Sequence, residues 1–146
     1  MEKVKPTLAV AFLAGILACS SAWAEVDEKV IETLVYEAVG EGINGMTAVA
    51  EVIRNRAKDS CLAVGEDCYE AVVMAPDQFS CWNSIEKLRT ITPEEYQRAA
   101  QAWELSRSSN LTKGAKYYHT INIKKVPSWA SRVGWTVNIG NHRFYV

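Results

Sequence analysis

Residues 27–42 read DEKVIETLVYEAVGEG and carry the clearest helical pattern in the chain. Apolar side chains recur at helical spacing and would share one face: Val30, Ile31, Leu34, Val35 and Ala38. Gly40 predicts a helix stop, because glycine enters the left-handed conformation at little cost. We therefore predict a first helix from about Asp27 to Val39, with this apolar face buried.

Glu37 lies on the shoulder of that apolar face, three positions after Leu34. A carboxyl in this place is partly withdrawn from water, which favours its protonated form. A protonated carboxyl at a helix end is what a general acid for breaking a glycosidic bond requires. The spacing also fits a solvated glutamate in a last helical turn, so this pattern alone leaves both interpretations open.

Residues 1–24 are predicted to be a secretory signal. Two lysines precede an apolar run from Leu8 to Cys19, and Ala22-Trp23-Ala24 is a small-residue cleavage motif. The run is too short for a membrane span, so we expect export to the periplasm or cell wall and one domain over residues 25–146. The alternative is a lipid anchor at Cys19, although Leu17 fits a lipoprotein motif poorly.

Three cysteines follow the predicted cleavage site, namely Cys61, Cys68 and Cys81. Disulfides persist in an oxidising compartment, but three cysteines cannot all pair within one chain. We predict a Cys68–Cys81 disulfide, which would close a loop across a Pro76-Asp77 turn, and a Cys61–Cys68 bond is the alternative. No metal site or cofactor is predicted, because the chain has no C-x-x-C pair and only two histidines.

Charge is unevenly distributed along the chain. Residues 25–104 hold seven Lys/Arg against sixteen Asp/Glu, whereas residues 105–146 hold seven Lys/Arg and no acid. The basic segment predicts a face that meets an anionic polymer. For an exported protein we expect peptidoglycan, whose stem peptides carry carboxylates, rather than nucleic acid. An ordinary solvated basic surface is the alternative interpretation.

The remaining periodicity places further helices in the first two thirds of the chain. A second helix is expected from about Asn44, a short one over Tyr69 to Met74, and a loop over residues 77–91. The next helix has the clearest start, since Thr92-Pro93-Glu94-Glu95 combines an N-cap, a proline at the first helical position and a capping box.

After Gly114 the hydrophobic period changes to two, which is typical of strands. Gly140-Asn141 predicts a two-residue hairpin turn. In that register Val137 faces Phe144 and Ile139 faces His142, so His142 points to the apolar face. The predicted fold class is α+β: a helical body with a small C-terminal β-hairpin.

Several blocks of sequence, in this order, resemble the cell-wall hydrolases typified by SleB and CwlJ. They are EAVGE (37–41), GMTAVAEVIRNR (45–56), QFSCW (78–82), GAKYYH (114–119), PSWA (127–130) and IGNHRFY (139–145). The resemblance implies a lysozyme-like fold that acts on peptidoglycan glycan strands, with Glu37 as the catalytic acid. Two departures are Val39, where the family usually has a polar residue, and an enlarged stretch from Ser60 to Asp67.

The number of carboxylates separates the reactions that such a site performs. Ordinary glycosidases use two carboxylates, and Glu41 is the nearest second candidate. A lytic transglycosylase needs only one, because the muramic acid 6-hydroxyl attacks its own anomeric carbon. Glu37 without a convincing partner favours the transglycosylase over a hydrolytic muramidase, with cleavage between N-acetylmuramic acid and N-acetylglucosamine.

Seven side chains are candidates for binding the substrate. The set comprises Glu41, Gln78, Trp82, Tyr118, His119, Trp129 and His142. Each has a structural alternative: the tryptophans as packing residues, Gln78 as a brace of its own loop, and His142 as a core histidine. One of Tyr118 and His119 is also a candidate to orient Glu37.

Two other functions remain as alternatives. A metal-dependent amidase would need His119, His142 and a third ligand to converge, and no H-E-x-x-H spacing supports it. A non-catalytic glycan-binding module would have no use for a half-buried acid at Glu37.

Overall fold

The computed structural model describes residues 27–60 and 68–146. In these ranges the chain forms helices α1 (Glu28–Ala38), α2 (Gly42–Ser60), α3 (Cys68–Met74) and α4 (Pro93–Leu105), and strands β1 (Tyr117–Thr120), β2 (Trp135–Ile139) and β3 (His142–Tyr145). Three short 3₁₀ helices occupy Val39–Glu41, Ser80–Lys87 and Ser128–Ser131. The strands form an antiparallel sheet in the order β1-β3-β2. The predicted α+β class, a helical body with a small C-terminal sheet, is confirmed.

Helix α1 begins at a side-chain cap and buries the predicted apolar face. The Asp27 carboxylate accepts a hydrogen bond from the backbone N–H of Lys29 at 3.0 Å. The helix ends at Ala38, close to the predicted Val39, but the left-handed conformation expected at Gly40 is wrong: the chain continues as a 3₁₀ turn, and the left-handed residue is Gly42, with φ of 68°. The reversal into α2 therefore comes two residues later than the sequence pattern indicated.

The main core lies between the four helices. Its largest fully buried side chains come from α1, α2 and α3 and from the segment after α3: Val30, Ile31, Leu34, Val35, Met46, Val49, Ile53, Val73 and Phe79. The short α3 packs on both α1 and α2, and Phe79 is buried in the same core.

The sheet packs on α2 through a smaller apolar cluster. Ala48 and Val52 of α2 contact Ala115 and Phe144 there. The predicted register is confirmed, since Val137 pairs with Phe144 and Ile139 with His142. Strand β1, which lies against β3, was not part of the predicted hairpin.

Polar side chains of α2 hold the segment that leads into β1. The buried Glu51 carboxylate accepts four hydrogen bonds of 2.5–2.8 Å, from the Ser109 hydroxyl, the Leu111 N–H and both the N–H and hydroxyl of Thr112. Asn55 donates to the carbonyl of Ala115 at 2.9 Å. These bonds fix the position of β1 relative to α2.

Helix α4 begins as predicted, whereas the segment before it differs from the prediction. The Thr92 hydroxyl accepts from the Glu95 N–H and the Glu95 carboxylate from the Thr92 N–H, so the capping box is confirmed. Residues 77–91 were expected to be loop throughout, but Ser80–Lys87 is helical. Burial of Phe79 and the hydrogen bond from the Trp82 indole to Thr33 anchor this segment on α1.

Three features predicted from the sequence fall outside the described residues. They are the signal of residues 1–24, its cysteine Cys19, and Cys61. Within residues 27–60 and 68–146, none of the helices has the length and apolar character needed to cross a membrane.

Candidate active site

A cleft of about 440 Å³ opens beside the C-terminal end of α1. It lies between that helix end, the segment before and within the Ser80–Lys87 helix, and strand β1. Residues that line it include Glu37, Arg56, Gln78, Cys81, Tyr118 and His142. The cleft therefore combines residues from both the helical body and the sheet.

The half-buried carboxylate of Glu37 is held by two donors from different elements. Tyr118 of β1 donates its hydroxyl to Oε2 at 2.9 Å, and the backbone N–H of Cys81 donates to Oε1 at 3.3 Å. Burial raises the pKa of the Tyr118 phenol well above its usual value, and the charge of Glu37 raises it further. Tyr118 consequently stays protonated at neutral pH and acts as a donor to Glu37.

Cys81 carries a free thiol in this cleft, so the predicted Cys68–Cys81 disulfide is wrong. Burial raises the pKa of the thiol to about 12, and the neighbouring charge of Glu37 adds to the effect. The hydrogen bond from its backbone to Glu37 fixes Cys81 at the cleft. Cys68 is a disulfide cysteine, and its partner lies outside the described residues.

Arg56 places a positive charge on the same cleft. Its Nε donates to the carbonyl of Lys116 at 2.6 Å, and its guanidinium lies 5.1 Å from the Phe79 ring centre. The buried Nη1 has no hydrogen-bond partner. Burial lowers the pKa of this guanidinium, while the negative charge of Glu37 opposes the shift.

His142 packs against Tyr118 on the sheet face that is turned toward the helices. The two ring centres are 5.0 Å apart in an edge-to-face arrangement. Burial lowers the pKa of this imidazole, and the carboxylates of Glu41 and Glu37 oppose the shift. The ring lines the cleft and packs against the ring of Tyr118.

Glu41 does not line the cleft around Glu37. Its Oε2 accepts a hydrogen bond from the backbone N–H of Asn141 at 2.7 Å, in the turn between β2 and β3. A side chain at Gly140 would collide with the same carboxylate. Glu41 thus joins the start of α2 to the β-hairpin.

Three other predicted site residues make their main contacts away from Glu37. The indole of Trp82 donates to the Thr33 hydroxyl at 3.0 Å, on α1. His119 and Trp129 belong to an aromatic group on the other face of the sheet, where the His119 ring lies 2.9 Å from the Tyr145 hydroxyl. His119 also borders the cleft because β1 is an edge strand.

Of the residues predicted to form the site, the structure brings Glu37, Gln78, Tyr118 and His142 together, with His119 at the border of the cleft. Sequence reasoning did not find the roles of Arg56, Cys81 and Asp77, which also line the cleft. Arg56 and Cys81 lie inside the blocks 45–56 and 78–82 that resemble the cell-wall hydrolases, and this was the one sequence feature that could have pointed to them.

His119 and His142 are on opposite faces of the sheet. Thr120 pairs with His142 and His119 with Arg143, so the alternation along each strand separates the two imidazoles. In the part of the chain that the structure describes, no three His, Cys, Asp or Glu side chains come together as a metal site. His119 and His142 therefore do not converge on one point, as two ligands of a metal-dependent amidase would have to.

The chain matches a known protein family. A family model described as Cell Wall Hydrolase matches residues 40–145. No curated protein matches the chain.

Two solved structures share the fold. The catalytic domain of the germination-specific lytic transglycosylase SleB from Bacillus anthracis is 23% identical, with a TM-score of 0.63 over 84% of this chain and 98% of that one. The catalytic domain of the Bacillus cereus SleB protein is 24% identical, with a TM-score of 0.60 over 81% of this chain and 88% of that one.

Proposed function

The chain belongs to the cell wall hydrolase family, and on this basis we propose that it cleaves peptidoglycan glycan strands with Glu37 as its acid. The observation that carries the proposal is the carboxylate of Glu37, held in a cleft by Tyr118 and the backbone of Cys81. Glu37 precedes the range matched by the family model, so its assignment depends on this geometry.

We propose a lytic transglycosylase mechanism at the bond between N-acetylmuramic acid and N-acetylglucosamine. Glu37 donates its proton to the glycosidic oxygen as the bond from that oxygen to the anomeric carbon breaks. The 6-hydroxyl of the muramic acid then attacks its own anomeric carbon and returns a proton to Glu37. The product is a 1,6-anhydro sugar, no water is consumed, and the acid is regenerated.

Two observations favour this mechanism over a two-carboxylate hydrolysis. Glu41, the nearest second carboxylate in the sequence, is engaged by the backbone of Asn141. Asp77 also lines the cleft, but it is exposed at the rim. Because the nucleophile belongs to the substrate, the reaction requires no second carboxylate.

The other groups of the cleft have supporting roles in this mechanism. Tyr118 orients the carboxyl of Glu37, and Arg56 stabilises the carboxylate that remains after proton donation. Gln78, exposed in the cleft, is positioned to hydrogen-bond a sugar hydroxyl or an N-acetyl group. The substrate lies outside the cytoplasmic membrane, which agrees with the secretory signal predicted at residues 1–24.

Digestion of purified peptidoglycan followed by mass spectrometry of the released muropeptides tests this proposal. The wild-type enzyme is expected to release fragments that end in a 1,6-anhydro sugar, one water lighter than hydrolysed ends. Glu37→Gln removes the transferable proton and should reduce release by at least about 10²-fold. Tyr118→Phe should lower turnover by roughly tenfold, since a hydrogen bond to a charged group contributes on the order of 1.5–3 kcal/mol.

Asp77→Asn and Glu41→Gln are the matched carboxylate variants, and both should cost far less than Glu37→Gln. If Asp77→Asn abolished release and the fragments released by the wild-type enzyme carried reducing ends, a two-carboxylate hydrolase would replace the transglycosylase. Near-normal release by Glu37→Gln would reject the assignment of the acid altogether.

A further inference from the structure

The sheet has a second face, turned away from the helices, that the proposed reaction does not use. We call it the outer face and define it by Tyr117 and His119 of β1, Arg143 and Tyr145 of β3, and Trp135 and Asn138 of β2. The pairing register puts these six side chains on one side, since Trp135 and Tyr117 both pair with Tyr145, and Asn138 and His119 both pair with Arg143.

Trp135 is the most exposed large side chain on this face. It lies on an edge strand and is 63% exposed. Its indole N–H donates to Asn138 Oδ1 at 3.2 Å, and Arg143 Nε donates to the same oxygen at 3.3 Å. The ring is therefore anchored through its N–H, while most of its surface stays exposed.

Further aromatic surface continues from β3 to β1. Tyr117 is 39% exposed, and the half-buried Trp129 lies over it with ring centres 5.5 Å apart. Trp129 in turn packs edge-to-face on Tyr145. Together these rings form an apolar strip next to the amide of Asn138 and the guanidinium of Arg143.

Such a combination suits a carbohydrate chain. A pyranose ring has an apolar C–H face that stacks on an aromatic ring, and its hydroxyl and N-acetyl groups bond to amide and guanidinium groups at the edge. The outer face as defined contains one cation, Arg143, and no acid, and residues 105–146, which form the sheet, contain seven Lys/Arg and no acid. These charges favour a polymer that carries carboxylates. Peptidoglycan is a glycan whose stem peptides carry carboxylates, and it complements both properties.

We propose that the outer face is a second, non-catalytic binding site for a peptidoglycan glycan strand, with Trp135 as its central stacking surface. This inference rests on the proposed function for the identity of the polymer. Apart from His119, which borders the cleft at the sheet edge, the site is separate from the cleft, because Tyr118 and His142 point to the opposite face of the sheet. It would keep the enzyme on the wall while Glu37 acts on a strand in the cleft.

Pelleting with insoluble peptidoglycan tests the proposal, with Glu37→Gln as the parent so that the polymer stays intact. Trp135→Ala in this parent should bind about tenfold more weakly, a change of about 1.4 kcal/mol. Trp135→Phe keeps an aromatic ring and should retain most of the affinity. Ile85→Ala, which removes another apolar side chain that is 60% exposed, is the control and should bind like the parent.

Two further measurements complete the test. In the active enzyme, Trp135→Ala should cleave short soluble glycan fragments at the wild-type rate, because the cleft is unchanged. Equal pelleting of Trp135→Ala and its parent would overturn the second site. So would a wild-type dimer that Trp135→Ala dissociates in sedimentation experiments without any change in pelleting, since the face would then bind another copy of the chain. If the wild-type enzyme released no muropeptides, the proposed function would fail, whatever Trp135 contributes to binding.

Discussion

At the scale of single residues, the site depends on how Glu37 is surrounded. Tyr118 and the backbone of Cys81 bond to one carboxylate oxygen each, and Arg56 adds a positive charge. The three groups come from β1, the segment after α3, and α2. Each fixes Glu37 against a different part of the fold, so a change in any of these elements is transmitted to the acid.

The thiol of Cys81 reports on this environment. With a pKa of about 12, roughly one thiol in ten thousand is ionised at pH 8, and the thiolate is the nucleophile. We expect iodoacetamide to modify Cys81 far more slowly than a cysteine in a short peptide, as measured by mass spectrometry of the Cys81 fragment.

Glu37→Gln should accelerate this modification, because it removes the negative charge that helps to suppress ionisation. Burial, the larger cause, remains, so the rate should stay below that of the peptide. Labelling of wild-type Cys81 at the peptide rate would contradict the buried environment, and recovery of Cys81 in a disulfide would contradict its free thiol.

At the scale of elements, the junction between α1, α2 and the hairpin depends on Glu41. Its carboxylate accepts the Asn141 N–H and occupies the space that a side chain at Gly140 would need. Gly140 also has φ of 54°, where residues other than glycine are strained. The same turn therefore requires glycine for two independent reasons.

Gly140→Ala should accordingly destabilise the protein by at least the roughly 1–2 kcal/mol of a left-handed alanine, as measured by chemical denaturation. Gly40→Ala is the matched control. Its position is open and its φ is not left-handed, so the variant should be neutral or up to about 1 kcal/mol more stable. Similar losses for both variants would show that the contact with Glu41 and the turn conformation do not distinguish Gly140.

Sequence reasoning succeeded where an element is specified by its own residues. The Thr92 and Glu95 capping box and the Gly140-Asn141 turn are local, and each set the element that follows it. The resemblance to the cell-wall hydrolases, drawn from ordered blocks, is also confirmed at the level of the family.

Sequence reasoning did not find contacts between distant segments. The period of two after Gly114 indicated strands, but it did not show that Tyr117 pairs with Tyr145 or that Tyr118 meets Glu37 across 81 positions of sequence. No local period encodes such contacts. The predicted Cys68–Cys81 disulfide was also wrong, since Cys81 is a free cysteine at the cleft, and neither its position there nor its free thiol follows from the local sequence.

At the scale of the whole molecule, the charge of residues 105–146 should govern attachment to the wall. We expect pelleting of the Glu37→Gln enzyme with peptidoglycan to weaken as salt rises from about 0.1 M to 1 M, where the Debye length falls from about 10 Å to 3 Å.

Lys124 and Lys125 are both exposed and lie outside the cleft and the outer face. Changing both to Gln should therefore reduce this salt dependence without altering the fold. If binding did not change with salt concentration, the basic residues would form only a solvated surface, and stacking would dominate attachment.

The four hydrogen bonds accepted by Glu51 connect the acidic part of the chain to the basic part. Its carboxylate is buried in α2, and all four of its donors belong to Ser109, Leu111 and Thr112, in the acid-free segment. If the two parts were separated, the buried carboxylate of Glu51 would lose all four of its donors. The change in charge near residue 105 is therefore not a module boundary, and neither part is a unit that could be transplanted alone.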